Sequence, residues 1–145
     1  MIRLIFIFAS VLLTASCSKS GSASSKAAET PMTFEEAFKF VDKQIAEKDP
    51  TIIEYLGRRM AFENSISLDF KGNCYAIPGK TVTLVSRINQ AGVIDLVIAD
   101  AENERSECFK NTYLNTRFDS PPVSPIYRFN IMLGEDGLPE RFKNL

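Results

Sequence analysis

Residues 81–101 read "TVTLVSRINQAGVIDLVIADA". Val82, Leu84, Ser86 and Ile88 alternate with Thr81, Thr83, Val85 and Arg87. After Gln90-Ala91-Gly92 a second run places Ile94, Leu96 and Ile98 between Val93, Asp95 and Val97. Side chains of a strand point to opposite faces in turn, so a period of two over β-branched residues predicts strands, and the glycine-containing break predicts the turn of a hairpin. Downstream, "NERSECFKNTYLNTRF" (103–118) reads as a helix. Pro121, Pro122 and Pro125 interrupt the chain, and "IYRFNIML" (126–133) alternates again, with Tyr127, Phe129, Ile131 and Leu133 on one face. The segment after Gly134 reads as a short irregular tail.

Upstream of the hairpin the period lengthens. In "TFEEAFKFVDKQIAEKDP" (33–50) Thr33 and Glu36 have the spacing of a capping box. Phe34, Ala37, Phe38, Val41 and Ile45 then share one helical face. Asp49-Pro50 restarts the chain as cap and first helical residue, and Ile52, Ile53, Leu56 and Met60 form a second apolar stripe. Both stripes read as core. Glu35-Glu36 and Arg58-Arg59 read as helix surface. The fold class predicted is α+β: two N-terminal helices followed by a ββαβ unit with a small antiparallel sheet, in one domain over 32–145.

The first residues read as an address. Arg3 is followed by the apolar run Leu4–Leu13, about ten residues, whereas a bilayer-spanning helix needs roughly 20. Small residues Thr14, Ala15 and Ser16 lead to Cys17, an arrangement that resembles the lipobox of bacterial lipoproteins. The resemblance implies a signal peptide over 1–16, acylation of the Cys17 thiol, and attachment to the membrane through the lipid. With Ser18 next, the family's sorting pattern implies the periplasmic face of the outer membrane. Residues 18–31 carry no large apolar side chain, so 17–31 read as the lipidated cysteine and a flexible tether.

Outside the cytoplasm cysteines pair, and Cys74, before the hairpin, and Cys108, on the third helix, are natural partners for a structural disulfide; a redox-active pair is the alternative, although no C-x-x-C is present.

The composition narrows the chemistry. The 145 residues include 17 Lys and Arg against 18 Asp and Glu, no histidine and no tryptophan. A net charge of −1 argues against a nucleic-acid partner, which selects for concentrated positive charge. Without histidine there is no imidazole base, no Ser-His or Cys-His pair and no His-ligated metal. No glycine-rich phosphate loop occurs. Asp100, Glu102, Glu104 and Glu107 lack the spacing of a calcium loop and read as a solvated connection. No cofactor and no enzymatic activity are expected.

The segment from "NCYAIPGKTVTLVSRINQAGVIDLVIADA" through "SECFKNTYLNTRFDSPP" to "IYRFNIML" resembles the C-terminal domains of the TonB / AgmX-PglI group. Gly92-Val93, Cys108, Arg117-Phe118, Pro121-Pro122 and the strand through Phe129 carry the resemblance, with Cys74-Tyr75 matching the first cysteine of AgmX-like members. It implies a ββαβ domain that binds an envelope protein or peptidoglycan through exposed surface or a sheet edge. The function expected is a non-catalytic interaction module anchored in the outer membrane. The competing expectation is an inhibitor or immunity lipoprotein that blocks a periplasmic cell-wall-degrading enzyme, with "FDSPPVSP" (118–125) as its projecting loop.

Overall fold

A computed structural model describes residues 31–143. The expected signal peptide, the expected lipidation site Cys17 and the expected tether up to residue 30 lie outside the described residues. Two helices come first, α1 (Phe34–Glu47) and α2 (Pro50–Ser65). Strands β1 (Val82–Ile88) and β2 (Ile94–Ala99), helix α3 (Glu104–Tyr113) and strand β3 (Ile126–Met132) follow. The architecture is α+β, as expected.

The helix starts are fixed locally. Glu36 N–H donates to Thr33 Oγ1 (3.3 Å) while Thr33 N–H donates to the Glu36 carboxylate (2.8 Å), so two otherwise orphaned donors are satisfied reciprocally. Lys48, in the left-handed region at φ 50°, ends α1. Asp49 then caps α2 by accepting from Thr51 N–H at 2.8 Å.

The sheet has the order β2-β1-β3, antiparallel throughout, so β1 is central and β2 and β3 are its edges. Ser86 sits between Val97 and Arg128, and Val85 between Ile98 and Phe129. Helix α1 covers one face, where Ala37 and Val41 pack with Val85 and Tyr127. The main core lies on the other face, where Ile52 and Tyr55 of α2 and Phe109 and Tyr113 of α3 meet Leu84, Ile88, Ile94 and Ile126. Cover on both faces explains why β1 is buried at every position but Arg87, which a simple alternation does not anticipate.

Three expectations change. The helix predicted over 103–118 stops at Tyr113. Asn115 takes the left-handed region at φ 65°, and the chain folds back along the hairpin turn. There Asn115 N–H donates to Ile94 O, Ile94 N–H to Thr116 O (both 2.9 Å) and Phe118 N–H to Gly92 O (2.8 Å). These bonds satisfy backbone groups of β2 that a longer helix would leave unpaired. The tail after Gly134 is also ordered. A 3₁₀ turn, Glu140–Phe142, buries Phe142, whose ring stacks 5.2 Å from Phe129. Finally, the α2 stripe turns differently: Ile53 and Met60 are exposed, and the inward face is Ile52, Tyr55, Arg59 and Glu63. Ile45 of α1 is exposed as well.

Gly92 is the tightest point of the fold-back. Its φ is +74°, and a Cβ there would lie 2.3 Å from the Phe118 carbonyl oxygen. Gly92→Ala combines a left-handed penalty of about 1–2 kcal/mol with a backbone clash that no rotamer relieves. The expected loss is at least about 2 kcal/mol, read from urea unfolding followed by circular dichroism; a loss within experimental error would contradict the fold-back.

Candidate functional site

The disulfide is present: Cys74 and Cys108 are bonded, with Cα atoms 5.6 Å apart. It fastens a short 3₁₀ turn, Cys74–Ala76, to α3 on the main-core face. Cys74 is fully buried, which suits a structural bridge better than a working thiol.

Arg59, expected on the helix surface beside Arg58, is 2% exposed, as is Glu63 one turn further along α2. Arg59 Nη2 lies 2.9 Å from Glu63 Oε1, and Arg128 Nη1 of β3 lies 2.7 Å from Glu63 Oε2. Two guanidinium groups therefore share one carboxylate. Ser86 Oγ is at the long limit of hydrogen bonding, 3.5 Å from Arg59 Nη2. The Arg59 guanidinium also covers the Phe118 ring at 4.4 Å. Its Nε and Nη1 are buried with no partner among the described residues. Burial, reinforced by the charge of Arg128, holds the Arg59 guanidinium down at about 10 against the pull of Glu63. The polar line continues through Asn130, whose amide donates to the Tyr113 hydroxyl (3.3 Å), and Tyr113 donates in turn to the Asp69 carboxylate. Burial, and then Asp69, push the Tyr113 phenol up, so it stays a donor.

At the β3 edge the two helices stand apart. Val41, Gln44 and Ile45 of α1 and Leu56, Gly57 and Met60 of α2 wall a groove of about 350 Å³ whose floor is Tyr127–Phe129. β3 pairs with β1 on one side only. On the other, Tyr127 N–H donates to Gln44 Oε1 at 2.8 Å. Backbone groups alternate sides along an antiparallel strand, so those of Phe129 and Ile131 point the same way. Gln44 Nε2 is buried without a partner among the described residues. Gly57, inside α2, has nothing within 4 Å of where a Cβ would be.

The opposite edge is partly closed. Residues 115–118 occupy the outward groups of Ile94, and an isolated bridge joins Val93 to Arg117. The loop 118–125 is pinned at its start, where the Tyr55 hydroxyl donates to Asp119 O at 2.8 Å and Phe118 meets Phe62 edge-on; Val123 is exposed further along. Three of the four acidic residues of the 100–107 connection are paired: Asp100 meets Arg141 at 2.9 Å, while Glu102 and Glu107 meet Lys110 at 3.0 and 2.7 Å.

The groove and the buried arginines had one faint signal in the sequence. Residues 52, 55, 59 and 63 follow helical spacing, but two of the four are charged, and hydrophobic periodicity passes over them. Compared with known proteins, the chain matches no protein-family model, no curated protein and no solved structure.

Proposed function

We propose that the protein is a non-catalytic lipoprotein, anchored through Cys17 at the periplasmic face of the outer membrane. Its folded domain acts as an interaction module that takes an extended segment of an envelope partner into the groove along β3. The ββαβ order accords with the resemblance to the TonB / AgmX-PglI C-terminal domains, and the lipobox supplies the address.

One observation carries the reading. Gly57 sits in a helix interior, where glycine costs about 1 kcal/mol relative to alanine. Nothing within the described residues needs its missing side chain, because the space beside it is open. That space is the groove wall facing the outer edge of β3, which has no strand partner and on which Tyr127 N–H is taken by Gln44. Absence of a side chain there admits a second backbone close to α2. The outward N–H and C=O groups of Phe129 and Ile131 supply the ladder for such a strand, and Ile45, Leu56 and Met60 supply apolar contact.

The test is a crosslinking pull-down from intact cells carrying the full-length, lipidated chain, compared with Gly57→Leu. Leucine raises helix propensity by about 0.8 kcal/mol but fills the groove. The expected result is a melting temperature equal to or above that of the parent, together with loss of the captured envelope component. Unchanged capture by a stable Gly57→Leu protein would remove the groove from the account. Recovery of a single stoichiometric partner with cell-wall-cleaving activity would replace the module with an inhibitor.

A further inference from the structure

A second cleft, distinct from the β3 groove, opens on the other side of α2. It has a volume of about 310 Å³ and is bordered by Arg58, Arg59, Phe62, Arg117 and Phe118, with Tyr55 and Asp119 at its margin. Three arginines converge there from two separate segments of the chain. Arg58 is held by Glu54 at 2.5 Å, while Arg117 is exposed and has no ion pair among the described residues. Within α2 the buried Arg59 shares the Glu63 carboxylate with the half-buried Arg128, which also floors the β3 groove. Glu54 and Asp119 balance Arg58 and Arg117 in number, so the positive excess comes from Glu63 being shared by Arg59 and Arg128, and at the buried Arg59 it is screened less than at the surface.

We propose that this cleft binds the C-terminal carboxylate of a peptide, with the last side chain of that peptide against Phe62 and Phe118. Arg117 and Arg58 donate to the carboxylate from the rim. The planar guanidinium fork matches the two oxygens of a carboxylate. Arg59 acts from below through its charge, since its own unpartnered nitrogens are sealed from solvent. Phe62 is 43% exposed and meets Phe118 edge-on at 5.6 Å. The pair presents an apolar wall beside the cations. A bare anion leaves that wall unused, whereas a carboxylate on an apolar body uses both halves of the cleft. Asp119 is exposed at the margin and pairs with none of the three arginines among the described residues. It disfavours a second negative charge on the ligand.

The experiment is an NMR titration of the ¹⁵N-labelled full-length chain in detergent micelles. The probes are N-acetyl-leucine, N-acetyl-leucinamide and inorganic phosphate. N-acetyl-leucine should perturb the amides of Phe62, Arg117 and Phe118 and leave the β3 groove unmoved. A charge-assisted hydrogen bond contributes about 1.5–3 kcal/mol, which is roughly tenfold or more in affinity. Arg117→Gln and Arg58→Gln, both on exposed residues, should each weaken binding by about that factor while keeping the parent spectrum elsewhere. The amide should bind far more weakly than the acid. Equal binding of acid and amide would overturn the carboxylate, and phosphate binding as tightly as the acid would overturn the peptide. The absence of perturbation at any soluble concentration of N-acetyl-leucine would overturn the site.

Discussion

Replacing Glu63 by glutamine should lower the unfolding free energy by about 3–5 kcal/mol, the usual cost of removing one partner from a buried ion pair. Glu63 is the only carboxylate at ion-pair distance from either Arg59 or Arg128 among the described residues. Glutamine keeps the volume and one carbonyl acceptor but leaves the buried Arg59 and the half-buried Arg128 with no counter-ion. Desolvation of an unpaired charge is then no longer offset. Urea unfolding followed by near- and far-ultraviolet circular dichroism reads the loss directly, treated as two-state for a domain of this size. A complementary variant separates charge from packing. Arg59→Met with Glu63→Leu and Arg128→Met removes every charge at once, and should recover most of the loss, because buried ion clusters are often no better than apolar side chains of similar volume. A Glu63→Gln loss below about 1 kcal/mol would mean that water reaches the pair and that α2 does not seal the core.

Loss of the disulfide is expected to be of similar size. The bridge joins residues 34 positions apart, and restricting a loop of that length in the unfolded chain is worth roughly 3–4 kcal/mol in the chain-entropy treatment. Cys74→Ala with Cys108→Ala is the appropriate pair, since alanine puts no unpartnered hydroxyl at the fully buried position 74. The destabilised protein should keep its α+β spectrum at low temperature, because α3 still packs through Phe109 and Tyr113. Reduction of the parent chain should lower the urea midpoint by a comparable amount. If neither treatment shifts the midpoint, the bridge is not a stabilising element, and a redox role for the two thiols regains its place.

Much of the architecture was legible because local signals and tertiary need agree. The Thr33 and Glu36 pair, Asp49-Pro50 and the Asn89–Gly92 turn are short-range chemistry that survives folding unchanged. The cysteine pairing followed from the count and from the compartment that the lipobox resemblance implies. What failed was the content of faces. Arg59 faces inward because Glu63, one turn on, and Arg128, on a distant strand, neutralise and share its charge; no window of sequence contains all three. Ile45 and Met60 look like core residues on a helical wheel, yet they wall a groove, since the width of the gap between α1 and α2 is set by how each packs on a different face of the sheet. Arg117 was part of a predicted helix and became a rim residue once the chain folded back on Gly92.

The measurement that tests the central claim most directly is site-specific photocrosslinking in living cells, with a photoreactive amino acid placed in turn at Ile45, Met60 and Phe70 of the full-length chain. All three are exposed apolar positions, so substitution there should change stability by no more than about 0.5 kcal/mol. Ile45 and Met60 wall the β3 groove; Phe70 lies on the 3₁₀ turn Leu68–Phe70 beside Tyr75. The account predicts the same protein adduct at Ile45 and Met60 and none at Phe70. An adduct at Phe70 with none at the groove positions would contradict it.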